Sequence, residues 1–265
     1  KKCTNLTYSL YEGASFKMMK AIARRAAQTA SSTLWAGTAH FTDSGGGATD
    51  VIVIKHPSGL MLCSSFHAQL PRQSKQELLG CKVQVFVNNV PTVLSMVLDR
   101  DLICCFEDGS YRASPEELAS LNLRPGRNAL RYELVHPCNN DRSLSLRAEI
   151  HLWKSTDKIV VVDIDGTVTK TDVAGFGAEK LGYEYIHAGV CEAVTAVSRL
   201  GYRILFLTSR AITLAQSTRD FLRSIGLSNG GSGMPAGFGL LTTTERFLPS
   251  LVVGVRSADK FKTAA

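Results

Sequence analysis

The spacing of apolar and polar positions changes twice along the 265 residues. Over residues 14–34 the apolar side chains recur three and four apart, so Phe16, Met19, Ile22, Ala26 and Ala30 gather on one side of a helical projection. Lys17, Lys20, Arg24, Arg25 and Gln28 fall on the other. This predicts an amphipathic helix, and Asp43-Ser44-Gly45-Gly46-Gly47 beyond it predicts a flexible connection. From residue 49 to 153 the period drops to two, in short runs broken by turn residues. The runs are Asp50–Lys55, Leu60–Phe66, Cys81–Asn88, Val90–Leu98, Leu102–Glu107, Asn128–Val135 and Leu144–Trp153. Asn88-Asn89 and Pro57-Ser58-Gly59 read as hairpin turns. Strands of this number and spacing predict an all-β, immunoglobulin-like sandwich over residues 49–154. Ser114-Pro115-Glu116-Glu117-Leu118 interrupts it with a cap, a first-turn proline and the glutamate of a capping box, which predicts a short helix.

From Ile159 onward apolar runs alternate with helical periods. Ile159–Val162 reads as a buried parallel strand, His187–Leu200 as a helix stopped by Gly201, Tyr202–Leu207 as a second strand, and Ala211–Ile225 as a second helix stopped by Gly226. This β-α-β-α order predicts a doubly wound α/β domain over residues 155–265. Ser228–Gly239 reads as a glycine-rich surface loop.

Composition narrows the class. With 45% apolar and 20% charged residues the chain is that of a folded globular protein, and its apolar runs are all short of the ~20 residues a membrane span needs. The net charge of +7 favours polyanionic partners, nucleic acid or an anionic lipid surface, without choosing between them. Seven cysteines with no C-x-x-C pair predict buried thiols rather than a zinc site or a disulfide framework. Cys63 and His67 are read as core or edge positions without chemistry.

The chemistry gathers behind Ile159–Val162. Asp163 and Asp165 follow this run two residues apart, so in extended chain both carboxylates face one small volume at the C-terminal edge of the sheet. Gly166 then turns the backbone away. Two close carboxylates call for a cation or a proton between them, the arrangement that an aspartate nucleophile, an aspartate acid/base and Mg²⁺ need to work on a phosphate. Thr208, at the end of the next strand, could hold phosphate oxygens with its hydroxyl and the free amides after it, or serve as a plain helix cap.

Asp163-Ile164-Asp165-Gly166-Thr167-Val168-Thr169 resembles the first motif of the haloacid dehalogenase superfamily of phosphatases. With His151–Lys158 before it and Lys170-Thr171-Asp172 after it, the stretch is similar to the lipin family of Mg²⁺-dependent phosphatidate phosphatases. Asp50–Ile54, Pro57-Ser58-Gly59 and Cys63–His67 resemble that family's N-terminal region, and Leu123–Asn128 the start of its C-terminal region. The resemblance implies that these two regions fold together and that a haloacid dehalogenase-like domain follows. It implies Asp163 as nucleophile and Asp165 as acid/base, with Mg²⁺ held by the Asp163 carboxylate and the backbone carbonyl of Asp165. Gly166, Thr167, Thr208, Ser209 and Lys262 would bind phosphate, Lys260 being a weaker match than Lys262. The family's fourth motif, Gly-Asn-Arg followed by an aspartate metal ligand, does not occur before Ala265, so a continuation beyond that residue is expected. The family's L-x-x-I-L coactivator motif does not occur either, and no transcriptional role is carried over.

The resulting expectation is a peripheral membrane phosphatase converting phosphatidate to diacylglycerol, cytoplasmic and, by the resemblance, at the endoplasmic reticulum or nuclear envelope. No nucleic-acid partner is expected. Residues 14–34 have two readings: a membrane-docking helix through Phe16, Lys17, Met19, Lys20, Ile22, Arg24 and Arg25, or an ordinary helix packed on the domain. Two rivals stand beside the enzyme, a lipid-binding module without turnover and a phosphatase of soluble phosphomonoesters. Retention of both Asp163 and Asp165 argues against the first rival.

Overall fold

The structure is a computed structural model and describes residues 46–71, 78, 81–135, 144–170, 186–225 and 233–243. The chain divides into two units, Lys1–Asp43 and Ser44–Ala265, and every described residue lies in the second. The amphipathic stretch 14–34, Lys260 and Lys262 lie outside the described residues.

The period-two runs form a seven-stranded sheet. In chain order its strands are β2 (Val51–Lys55), β3 (Met61–Cys63), β5 (Lys82–Val87), β6 (Val90–Leu98), β7 (Cys104–Cys105), β8 (Gly126–Val135) and β9 (Ser145–Lys154). Their order across the sheet is β3-β2-β9-β8-β5-β6-β7. A short pair, β1 (Gly47–Ala48) and β4 (Ala68–Gln69), lies beside it. All seven predicted runs contain a strand, two of them much shortened. Leu60–Phe66 loses its end because the Ser64 hydroxyl takes the amide of Ile52 at 2.9 Å. Leu102–Glu107 contracts to β7 because Leu102 has φ 60, closing a turn on the carboxylate of Asp99. The pairing is not wholly antiparallel, since β2 runs parallel to β9 with Lys55 beside Lys154. The Asn88-Asn89 hairpin has φ of 51 and 65, the left-handed pair that a two-residue turn of this type requires. The predicted helix is α1 (Pro115–Ser120), with both halves of its capping box formed. Val51, Val53, Val85, Leu94, Leu130 and Ile150 lie in the core of this half.

The second half is a parallel sheet of β10 (Ile159–Asp163), β11 (Arg203–Ala211) and β12 (Gly239–Thr243). Helix α2 (Val190–Arg199) connects the first pair and α3 (Ala215–Ser224) the second. This is the predicted alternation, with two corrections. β10 is not wholly buried: among the described residues it has a neighbour on one side only, and Ile159 and Val161 are exposed. The strand β11 does not stop at Leu207. It runs to Ala211 across a register shift against β12, and a single 3-10 turn, Ile212–Leu214, precedes α3.

The two halves meet face to face. Ile52 and Trp153 of the larger sheet pack on Leu207 and Leu241 of the smaller, with Ile54 and Leu205 at the margin. Gly46 and Gly47, expected in a flexible connection, are buried. Gly47 lies against the 3-10 turn so closely that a Cβ on it would stand 2.0 Å from the carbonyl oxygen of Ile212. Only glycine allows that approach.

Candidate active site

β10 delivers Asp163 to the C-terminal edge of the parallel sheet, in register with Leu207 of β11. Beyond it the chain folds back at once. The carbonyl oxygen of Ile164, a buried residue, accepts from the amides of Thr167, Val168 and Thr169 at 3.3, 2.9 and 3.0 Å and from the Thr169 hydroxyl at 3.2 Å. Gly166 takes φ 88 within this loop, which is the reason glycine follows the second aspartate. Gly166 and Thr167 are exposed at its tip.

The structure brings Asp165 together with Thr208 and with a residue the sequence reading did not single out, Arg210. The Thr208 hydroxyl donates to Oδ2 of Asp165 at 3.0 Å. The Arg210 guanidinium engages both oxygens: Nη2 reaches Oδ1 at 2.9 Å, and Nε lies 3.2 and 3.3 Å from Oδ1 and Oδ2. Thr208 and Arg210 are buried, while Ser209 between them is exposed, as alternation along a strand requires. That period is the signal that could have found Arg210: on an extended strand it shares the face of Thr208. The anion-binding role expected of Thr208 changes accordingly. It is not at a helix start, and the amide of Arg210 already donates to its hydroxyl at 3.2 Å.

The Thr208 hydroxyl and Nε and Nη2 of Arg210 bring three hydrogens to a carboxylate with about four lone-pair sites, so Asp165 is held in one orientation and keeps a site for exchanging a proton with a ligand. For a hard divalent cation the loop offers oxygen ligands alone, the Asp163 carboxylate and backbone carbonyls, which suits Mg²⁺.

A second polar cluster lies between the two halves. Nε2 of the fully buried His151 is 3.6 Å from Oε2 of Glu149 and 3.8 Å from Oδ2 of Asp50. The ligand atoms of the three lie within 4.8 Å of one another, a group able by its donor types to hold a metal ion. Arginines crowd the same carboxylates: Arg219 bonds Asp50 at 2.9 Å, and Arg223 and Arg127 bond Glu149 at 2.6 and 3.1 Å. Three guanidinium charges against two carboxylates disfavour a further cation there. The sequence reading missed this cluster because Asp50 and Glu149 are 99 residues apart and meet only where β2 pairs with β9.

Two family models match the chain. LNS2 (Lipin/Ned1/Smp2) matches residues 109–265 and the lipin N-terminal conserved region matches residues 19–120. Nuclear elongation and deformation protein 1 of Schizosaccharomyces pombe is 36% identical over 157 residues, covering 58% of this chain and 23% of that protein. Phosphatidate phosphatase PAH1 of Arabidopsis thaliana is 34% identical over 151 residues, covering 56% of this chain and 16% of its own length. Phosphatidic acid phosphohydrolase 1 of Saccharomyces cerevisiae is 36% identical over 157 residues, covering 58% and 17%. The matched stretches thus span less than a quarter of these curated relatives.

Proposed function

The chain belongs to the lipin family, and from that premise we propose that it is the catalytic region of a Mg²⁺-dependent phosphatidate phosphatase. Its LNS2 region has the haloacid dehalogenase-like fold. One observation carries the reading: Thr208 and Arg210 gather on Asp165, two residues past Asp163, at the C-terminal edge of a parallel sheet. Relatives whose names state the activity agree with it.

In the proposed reaction Asp163 attacks phosphorus and forms an aspartyl phosphate as the ester oxygen departs. Asp165, oriented by Arg210, gives that oxygen its proton and then takes one from the water that hydrolyses the intermediate. Thr208, Ser209, Gly166, Thr167 and Lys262 are the proposed phosphate contacts. Mg²⁺, held by the Asp163 carboxylate and the backbone carbonyl of Asp165, would offset charge on the phosphate oxygens. A carbonyl ligand at Asp165 leaves its side chain to the proton.

Phosphatidate sits in a bilayer, and no helix among the described residues is long and apolar enough to cross a membrane. We assign docking on an anionic surface to residues 14–34, through Phe16, Met19 and Ile22 with Lys17, Lys20, Arg24 and Arg25, as a peripheral protein of the cytoplasmic face of the endoplasmic reticulum or nuclear envelope. Residues 49–154 are taken as the immunoglobulin-like support.

The test is phosphate release from phosphatidate vesicles and from a short-chain soluble analogue, with and without Mg²⁺. Asp163→Asn and Asp165→Asn are each expected to lose at least about a hundredfold on both substrates. Charge reversal of the four basic residues is expected to affect vesicles alone. Near-normal turnover by either aspartate variant removes the chemistry, and equal loss on both substrates by the charge-reversed protein removes the docking role. A binding module without turnover is the rival reading. It predicts vesicle binding with no phosphate release from the wild type.

A further inference from the structure

We infer that Asp50 is a positioning residue for the candidate active site, setting the orientation of Asp165 from the opposite sheet through helix α3. Asp50 stands at the start of β2, wholly buried. Its Oδ1 accepts from the amide of Glu149 and from Nε of Arg219, each at 2.9 Å, and its Oδ2 accepts from the amide of Leu240 at 2.9 Å. One carboxylate therefore ties β2, β9, α3 and β12 together.

Arg219 is equally buried, and every arm of its fork is used. Beyond Asp50 it donates to Gln216 Oε1 at 2.7 Å, to the carbonyl of Arg147 at 3.4 Å and to the carbonyl of Ala48. A second strap runs from Arg223, also on α3, to Glu149 at 2.6 Å. Helix α3 is thus fixed to the larger sheet by two arginines on two acids. A buried ion pair is weak as a source of net stability, because apolar side chains of the same volume usually do as well. What it specifies is orientation.

The other side of the same helix serves the site. Thr218, next to Arg219, accepts from Nη1 of Arg210 at 3.4 Å. The ring of Phe221 lies 5.7 Å from the Arg210 guanidinium carbon. These contacts set the plane of the fork that Arg210 lays on Asp165. A two-point hold of a guanidinium on a carboxylate depends on the two planes matching, so a small shift of α3 opens it.

The inference rests on the phosphatase reading of Asp163 and Asp165, so its test carries one readout that needs no turnover. In the full protein, Asp50→Asn keeps the shape, removes the charge that Arg219 answers and replaces one of the two accepting oxygens by a donor. Measured below its melting temperature, it is expected to lose about tenfold or more in kcat on the soluble analogue with KM within about twofold. In side-chain ¹H–¹⁵N spectra the Nε–H of Arg210, held on Asp165 in the wild type, is expected to exchange faster. Thr218→Val, nearly equal in volume, should show the same two changes. Asp157→Asn is the control: it breaks the 2.9 Å pair with Arg203 at the opposite end of β11 and should lower stability without altering kcat. If Asp50→Asn does not fold, Asp50→Asn/Arg219→Gln leaves no unpaired buried charge and takes its place. Wild-type kcat and an unchanged Arg210 Nε–H in the folded Asp50 variant and in Thr218→Val overturn the inference. A wild type that releases no phosphate defeats the phosphatase reading instead, and the Arg210 resonance still decides the link from Asp50.

Discussion

His67 stacks on Tyr111 with ring centroids 4.4 Å apart and 19° between the planes. Burial pushes its pKa from the ordinary 6.5 down to about 4. The folded chain therefore keeps this imidazole neutral while the unfolded chain protonates it, so the stability it contributes is whole above about pH 6.5 and is lost as pH falls toward 4. The loss is expected to reach about 2 kcal/mol, discounted for the exposed part of the ring. Urea unfolding at pH 7 and pH 4.5 would show it as a difference between wild type and His67→Phe, and parallel losses in the two proteins would clear His67. The sequence gives this histidine no chemical role, and the structure adds none. Asp163 and Asp165 were legible because period two and one glycine place them without distant help. Arg210 was not, because period two marks only the face it shares with Thr208, and its partner lies 45 residues away.

The elements that could be read were those that carry their own ends. Ser114 and Glu117 close a reciprocal cap, amide to carboxylate at 2.7 Å and amide to hydroxyl at 3.2 Å, from side chains three residues apart. The boundaries of β6 match for the same reason, with a two-residue turn before it and Asp99 after it. The end of β11 could not be read, because what holds it is tertiary: Ala211 pairs with Thr243, and Ile212 is covered by β1. That contact makes a prediction. In Gly47→Ala the new methyl would meet backbone atoms, the Ile212 oxygen at 2.0 Å and Thr213 Cα at 2.9 Å, and backbone cannot rotate aside. A stability loss of about 1–3 kcal/mol is expected, together with lower turnover, since the displaced turn begins two residues after Arg210. Val93→Ala, at an exposed position of β6, is the comparison for thermal melting and phosphate release. Equal behaviour of the two variants would show that β1 does not seat the turn.

At the scale of the whole molecule, the sequence shows two kinds of domain and says little of how they join. Apolar faces at Ile52 and Leu207 are visible as patterns, but nothing in them states that they face each other. Asp50 reads as the polar first residue of a strand, and only the fold makes it the point where both sheets and α3 converge. Its three donors stand 99, 169 and 190 residues further along the chain. Closures over such distances come late in folding, since the chain between must first be ordered. During synthesis Asp50 emerges early and stays hydrated until α3 and β12 have left the ribosome. Its bonds are therefore expected to form after the folding transition state. Asp50→Asn should speed unfolding and leave the refolding rate nearly unchanged in a urea chevron, whereas slowed refolding would place this carboxylate in the nucleus. A group that joins last governs how long the folded molecule lasts more than how quickly it forms.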